Sequence, residues 1–238
     1  IEFFGVSHNI PGSLGVVVNT PVGIVVHTGD FKLDLQPAGD VEPDITKIAK
    51  LGERNVLALL SDSTSAPHPG HQYTETEIKG NLEDIIRLAQ GRLIIGTFAS
   101  LLMRVQQIFE LAEKYNRKVI VDGYSMKTNI EIAQKLGYLK INKGTLLPMS
   151  EIGNYPSRRI LVLCTGAQGE GRAVLMRIAN REHRTIRIEP EDTVVFSSSV
   201  VPGNERSVQR LVDTLYREGA EVINYKMMDI ENFFWQIN

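Results

Sequence analysis

From Thr74 to Asn224 the chain alternates short apolar runs with amphipathic stretches, and this alternation limits its fold more than any other feature. Thr74-Glu75-Thr76-Glu77 has the form of a capping box and opens a helix that reaches about Gln90, where Gly91 ends it. Residues 92–96 (RLIIG) then read as a strand, Thr97-Phe98-Ala99-Ser100 as a turn, and 101–115 as an amphipathic helix. The same cycle follows as strand 118–121, turn 122–125 and helix 126–136, and again as strand 159–164, turn 165–169 and helix 171–180. Strand 193–197, helix 205–218 and a last strand 220–224 complete the series. Strand–turn–helix units in succession predict an α/β fold, a mainly parallel sheet flanked by helices.

The N-terminal stretch has a different grammar. Apolar runs at residues 14–18 and 24–26 flank Thr20-Pro21-Val22-Gly23, which reads as a β-hairpin. Pairing outward from a turn centred between Pro21 and Val22 places Ser13 opposite Asp30. The loop that begins at His8 then lies at the same end of the hairpin as Asp30. An imidazole and a carboxylate at one sheet edge suit zinc or another divalent ion. On residues alone, a lone histidine before a strand is more often a turn or packing residue than a metal ligand. A short helix over 45–51 and a continuous apolar run over 55–60 (NVLALL) come next, the latter predicted as a buried strand. It ends at Ser61-Asp62-Ser63-Thr64, where Asp62 either serves a site or caps a turn. His68 and His71 lie between Pro and Gly with no helical face to share, and read as surface loop residues.

Several predicted strand ends open into small-residue loops before a helix: TFAS, DGYS, TGAQGEG and SSSVVPGNE. Free N–H groups and the positive end of a helix dipole meet at such places, and small residues let a phosphate approach the backbone. In a parallel sheet these loops share one edge and could follow a polyphosphate chain. Each is also an ordinary turn composition, and none is a P-loop or a GxGxxG motif.

The whole chain has 238 residues, 42% hydrophobic and 23% charged, with a net charge of −2. The total charge does not mark a nucleic-acid binder. Residues 158–187, however, hold seven arginines against two glutamates, either a solvated helical face or a phosphate-facing surface. The single cysteine, Cys164, lies in an apolar run and reads as a buried thiol in a reducing compartment. No apolar run is long enough for a membrane span, and no secretory signal opens the chain. The chain begins in mid-pattern at Ile1, as a piece of something longer would.

Taken together, HNIPGSLG…TPVGIVVHTGDFK, SDST, TFAS followed by Arg104, Gln106 and Gln107, TG-x-QGE and PGNE resemble, in order, the motifs of ribonuclease J. That family belongs to the β-CASP branch of the metallo-β-lactamase superfamily, and the resemblance runs from about Phe3 to Lys226. It implies the C-terminal part of a metallo-β-lactamase core over residues 1–65, a β-CASP domain over 66–226 and an off-pattern tail over 227–238. It implies that His8 binds one zinc ion, that Asp30 bridges two, and that Asp62 orients the groups beside them. It places RNA contacts at Ala99, Ser100 and Leu101, and in the matching segments at Arg104, Ser125, Thr165, Gly166, Gln168, Gly169 and Ser198. Leu101, Tyr124 and Ala167 depart from the Asn, Arg and Ser usual in the family.

The family's HxHxDH cluster and its later histidine motifs do not occur in this sequence. The expectation is therefore an incomplete piece of a cytoplasmic, zinc-dependent 5′-3′ exoribonuclease with endonuclease activity. The intact protein would act on RNA, use two zinc ions and form a homo-oligomer, with no membrane partner. This chain would be inactive alone. Another metallo-β-lactamase-fold hydrolase and a non-catalytic RNA-binding or scaffold module remain as alternatives.

Overall fold

The computed structural model describes residues 1–34, 43–64, 66 and 73–224. His68, His71 and the tail expected over 227–238 lie outside them. The chain divides into two compact units, Ile1–Gly80 and Asn81–Asn238. Most of the stretch around the expected boundary at 65/66 also lies outside the described residues.

The first unit is a four-stranded sheet in the order β1 (Glu2–Gly5), β2 (Leu14–Thr20), β3 (Gly23–His27) and β4 (Val56–Leu60), with helix α1 at Ile45–Gly52. Strands β2 and β3 pair antiparallel from Thr20↔Gly23 to Val16↔His27, the register that the turn sequence predicts. The Thr20 hydroxyl donates to Gly23 O at 2.7 Å and accepts from Val22 N at 3.3 Å, closing the turn.

Strand β1, unforeseen in the sequence, pairs antiparallel with β2. It is too short to show a period, and its place is set by packing: a Cβ at Gly15 would lie 2.1 Å from Phe4 Cζ, so the ring needs glycine beneath it. Phe4, Val6, Val17, Val26 and Leu51 form the core of this unit.

Strand β4 corrects an expectation. Its apolar run predicts a buried strand, yet Leu57 is 61% and Leu59 62% exposed. It pairs parallel with β3 and ends the sheet, so among the described residues no further strand pairs with it, and of its side chains Val56 alone packs on the core of this unit. An apolar run measures what a strand can bury; what covers it is decided elsewhere in the chain.

The second unit is a six-stranded sheet in the order β10-β9-β5-β8-β6-β7, with every recorded pair parallel. The strands are β5 (Leu93–Gly96), β6 (Lys118–Asp122), β7 (Leu146–Leu147), β8 (Ile160–Cys164), β9 (Thr193–Phe196) and β10 (Glu221–Ile223). Helix α2 (Glu75–Leu88) begins in the first unit, to which its residues up to Gly80 belong, and precedes these strands; α3 (Leu102–Lys114), α4 (Tyr124–Lys135), α5 (Val174–Ala179) and α6 (Glu205–Arg217) follow β5, β6, β8 and β9.

The capping box forms as read: Glu77 N donates to Thr74 Oγ1 at 3.2 Å, and Thr74 N to Glu77 Oε2 at 2.7 Å. Ile94, Ile120, Val162 and Val194 pack with α5 and α6 on one face. The strand period of two sends Leu93, Ile95, Val119, Val121, Leu161 and Leu163, all buried, to the opposite face, where α3 and α4 pack against β6. Helix α5 starts at Val174, three residues later than expected, because Leu175 N is turned back to Thr165 O. Strand β7, two residues long, carries no readable sequence signal.

Candidate functional site

The hairpin end assembles around a short bridge. Val6 N donates to Ser13 O at 3.0 Å and Lys32 N to Ser7 O at 2.8 Å, so the loop that starts at His8 is tied to the segment after Asp30. His8 Nε2 stands 3.8 Å from Asp30 Oδ2, with the Asp30 side chain 81% exposed. That separation is too long for a hydrogen bond. It is slightly wider than the roughly 3.3 Å between two ligands of one tetrahedral zinc at about 2 Å each.

Asp62 is held nearby through Thr28, whose hydroxyl accepts from Asp62 N at 3.0 Å. Its Oδ1 accepts from Thr64 Oγ1 at 2.7 Å and Thr64 N at 2.9 Å. The Thr64 hydroxyl, then the Thr64 amide, with smaller help from the Phe31 amide and the charge of His8, hold the Asp62 carboxyl below its ordinary value against its partial burial. The turn-capping and site readings of Asp62 are thus compatible: one oxygen closes the turn in a carboxylate that lies within electrostatic reach of His8.

Two neighbours escaped the sequence reading. Buried Asp34 accepts from Glu75 N at 2.7 Å, and Lys32 reaches Glu75 Oε1 at 3.2 Å. They anchor the first turn of α2 to the TGDFKLD segment, a long-range cap with no local signature.

The metal requirement is met only in part. His8 and Asp30 supply two donors of the right chemistry, but among the described residues no group of three His, Cys, Asp or Glu side chains could hold an ion. A catalytic zinc takes about three protein ligands.

In the second unit the topology creates a crevice. Neighbouring β5 and β8 send their following helices to opposite faces of the sheet: α3 to one, α5 to the other. Such a switch point opens a cleft beyond the carboxyl ends of the strands. A cleft of about 290 Å³ lies there, lined by Thr97, Phe98 and Ala99 after β5, by Thr165, Gly166, Ala167, Glu170 and Ala173 after β8, and by Ser125 in the first turn of α4. Asn129 Nδ2 donates to Ala99 O at 2.8 Å and fixes one wall.

The residues singled out in the sequence separate into two groups. Ala99, Ser125, Thr165 and Gly166 line the cleft, with Ser100 and Leu101 continuing its rim into α3. Arg104, Gln168 and Ser198 are buried. Arg104 Nη1 donates to Ser197 O and Ser197 Oγ, each at 2.9 Å, and its Nε to Gln107 Oε1 at 3.2 Å. Gly169, at φ +72°, faces α6; a Cβ there would lie 2.6 Å from the Ser207 backbone.

Of the seven arginines over 158–187, Arg177 alone falls in an α-helix, α5, so they do not form one helical face. Arg159 bonds to Asn116 and Arg181 to Glu218. Cys164 is fully buried, and burial pushes its thiol well above the usual range.

The family model described as "Ribonuclease J, beta-CASP domain" matches residues 90–215, just over half of the chain, a stretch that holds β5 to β9 of the six-stranded sheet. The chain belongs to the ribonuclease J family. It is 44% identical to ribonuclease J 1 of Streptococcus pyogenes over 230 residues, covering 97% of this chain and 41% of that protein. To ribonuclease J of Thermus thermophilus it is 43% identical over 223 residues, covering 94% of this chain and 39% of that protein. To ribonuclease J2 of Bacillus subtilis it is 40% identical, covering 94% and 40%. The chain thus spans about two fifths of the length of these relatives.

A solved structure of a protein of unknown function from Enterococcus faecalis matches with a TM-score of 0.61 at 11% identity. It covers 93% of this chain and 51% of that one, a likeness of fold alone. No helix among the described residues is long and apolar enough to cross a membrane.

Proposed function

We propose that this chain supplies the RNA-binding part, and two of the metal ligands, of a zinc-dependent ribonuclease. The intact enzyme is a cytoplasmic homo-oligomer that degrades and processes RNA from the 5′ end and also cuts internally. The observation that carries the reading is the cleft at the β5–β8 switch point. Small residues and hydroxyls make up most of its lining, beside Phe98 and the carboxylate of Glu170; it is flanked by the N-terminal turn of α4 and lies within the stretch that matches the family. Its shape and donors suit the sugar–phosphate backbone more than a base edge.

His8 and Asp30 would each hold a zinc ion, and Asp62 would steady the carboxylate environment beside them. Bound zinc would supply an activated water and stabilise the oxygens at phosphorus. The described residues do not complete that site, so no hydrolytic step is assigned to this chain. The incomplete ligand set favours, for the chain in isolation, binding without chemistry.

Purified chain is expected to bind single-stranded RNA with an affinity that falls steeply as salt rises, through phosphate contacts. It is expected not to hydrolyse that RNA when zinc is added. Salt-insensitive binding, or none, removes the RNA reading; zinc-dependent cleavage removes the assignment of an incomplete site.

A further inference from the structure

Gln168 was expected to touch RNA, and its surroundings give it another task. The side chain is 4% exposed. Its Nε2 donates to Ser199 O at 2.9 Å and lies 3.5 Å from Ser198 Oγ. Its Oε1 accepts from Val201 N at 2.8 Å and Asn204 Nδ2 at 3.4 Å. One carboxamide therefore gives to and takes from the irregular loop between β9 and α6, as a neighbouring strand would. It stands next to Ala167 and two residues from Gly166, both in the cleft wall. A group with both polar atoms engaged and almost no exposed surface cannot also read a ligand.

We infer that Gln168 is a positioning residue: it fastens the 198–204 loop to the 165–169 loop and so sets the shape of the cleft wall. Its effect on RNA rests on the reading given above, while the fastening itself does not. The Val201 amide reports on it directly, since that N–H ends on the Gln168 oxygen.

The experiment is residue-resolved amide exchange, urea unfolding and RNA titration of the full 238-residue chain and two variants. Gln168→Met removes donor and acceptor at similar volume; Gln168→Glu keeps an acceptor and loses the donor. In Gln168→Met the Val201 amide is expected to exchange at least about tenfold faster while the urea midpoint of the sheet stays near that of the parent. The dissociation constant for a single-stranded RNA oligonucleotide is expected to rise about tenfold. Gln168→Glu is expected to retain more Val201 protection than Gln168→Met, a grading that general loss of packing would not give.

Unchanged Val201 exchange in both variants overturns the inference. So does a loosened loop with undiminished RNA affinity, which leaves the fastening but removes the positioning role. If Gln168→Met does not fold, exchange and RNA affinity in Gln168→Glu decide by the same criteria. If the parent chain binds no RNA, the RNA reading fails, and Val201 exchange alone upholds or overturns the fastening.

Discussion

At the carboxyl end of β6, Asp122 gathers three donors. His183 Nε2 lies 2.8 Å from Oδ2, and Lys127 Nζ and Gly123 N lie 3.0 and 2.8 Å from Oδ1. His183 is buried, and its Nδ1 accepts from Ile186 N at 2.9 Å and Thr185 N at 3.2 Å. That network assigns the proton to Nε2, so the ring donates to Asp122. Burial works to raise the Asp122 carboxyl, but the bonds from His183, Lys127 and Gly123 outweigh it and hold it below its ordinary value. A carboxyl lowered in the folded state contributes stability above about pH 4, its unfolded value, and loses it as pH falls through the folded value. Asp122→Asn is therefore expected to cost about 1–3 kcal/mol at neutral pH. The gap from the parent should begin to narrow as pH falls below about 4 and close as it passes the parent's lowered folded value, where the folded carboxyl itself takes up a proton. Urea midpoints measured at both pH values check this; an equal gap at the two would show that charge is not the cause.

Among the elements, α3 shows what a sequence declares and what it hides. Arg104, Gln107, Ile108 and Leu111 stand at i, i+3, i+4 and i+7, the spacing of one buried stripe, and all four are buried. That signal was present in the sequence, but an arginine beside a small-residue loop reads first as a phosphate ligand. No such signal marks Gln168, because loops have no period. The β2–β3 register was legible because a short turn leaves few pairings. The exposure of β4 was not, because a strand's cover comes from distant chain. Ser197 O and Ser197 Oγ both take Nη1 of Arg104, so truncating that side chain leaves a buried carbonyl with the 3.5 Å bond from the Thr97 hydroxyl in place of the 2.9 Å one. Arg104→Ala is expected to destabilise the six-stranded unit by about 2–4 kcal/mol. Arg104→Lys should recover little of this, since an ammonium lacks the planar fork that serves Ser197 and Gln107 together. Thermal or urea unfolding measures both; a lysine variant equal to the parent would mean that charge alone matters there.

Across the whole molecule, the two sheets are finished to different degrees. The six-stranded sheet has helices on both faces and a continuous core of fully buried Ile, Leu, Val and Phe. The four-stranded sheet ends in β4, with Leu57, Leu59 and Leu60 exposed, and β1 and β2 add exposed Phe3 and Leu14. Among the described residues no strand pairs with the outer edge of β4, so its backbone donors and acceptors face outward beside apolar side chains. An edge of that kind is a template for pairing with another chain. Natural edges are blunted with lysine, proline or a bulge, and here the register shift between Ile24 and Val25 lies on the paired side. A chain spanning about two fifths of its relatives, with such an edge, is expected to self-associate as concentration rises. Leu57→Lys with Leu59→Lys should return it to a monomer without changing its secondary structure, because both side chains already face solvent. Light scattering after size exclusion, run over a concentration series with circular dichroism alongside, reads the result. A parent chain that stays monomeric throughout would mean that this edge is blunted by some other means, and that the apolar run of β4 carries no association of its own.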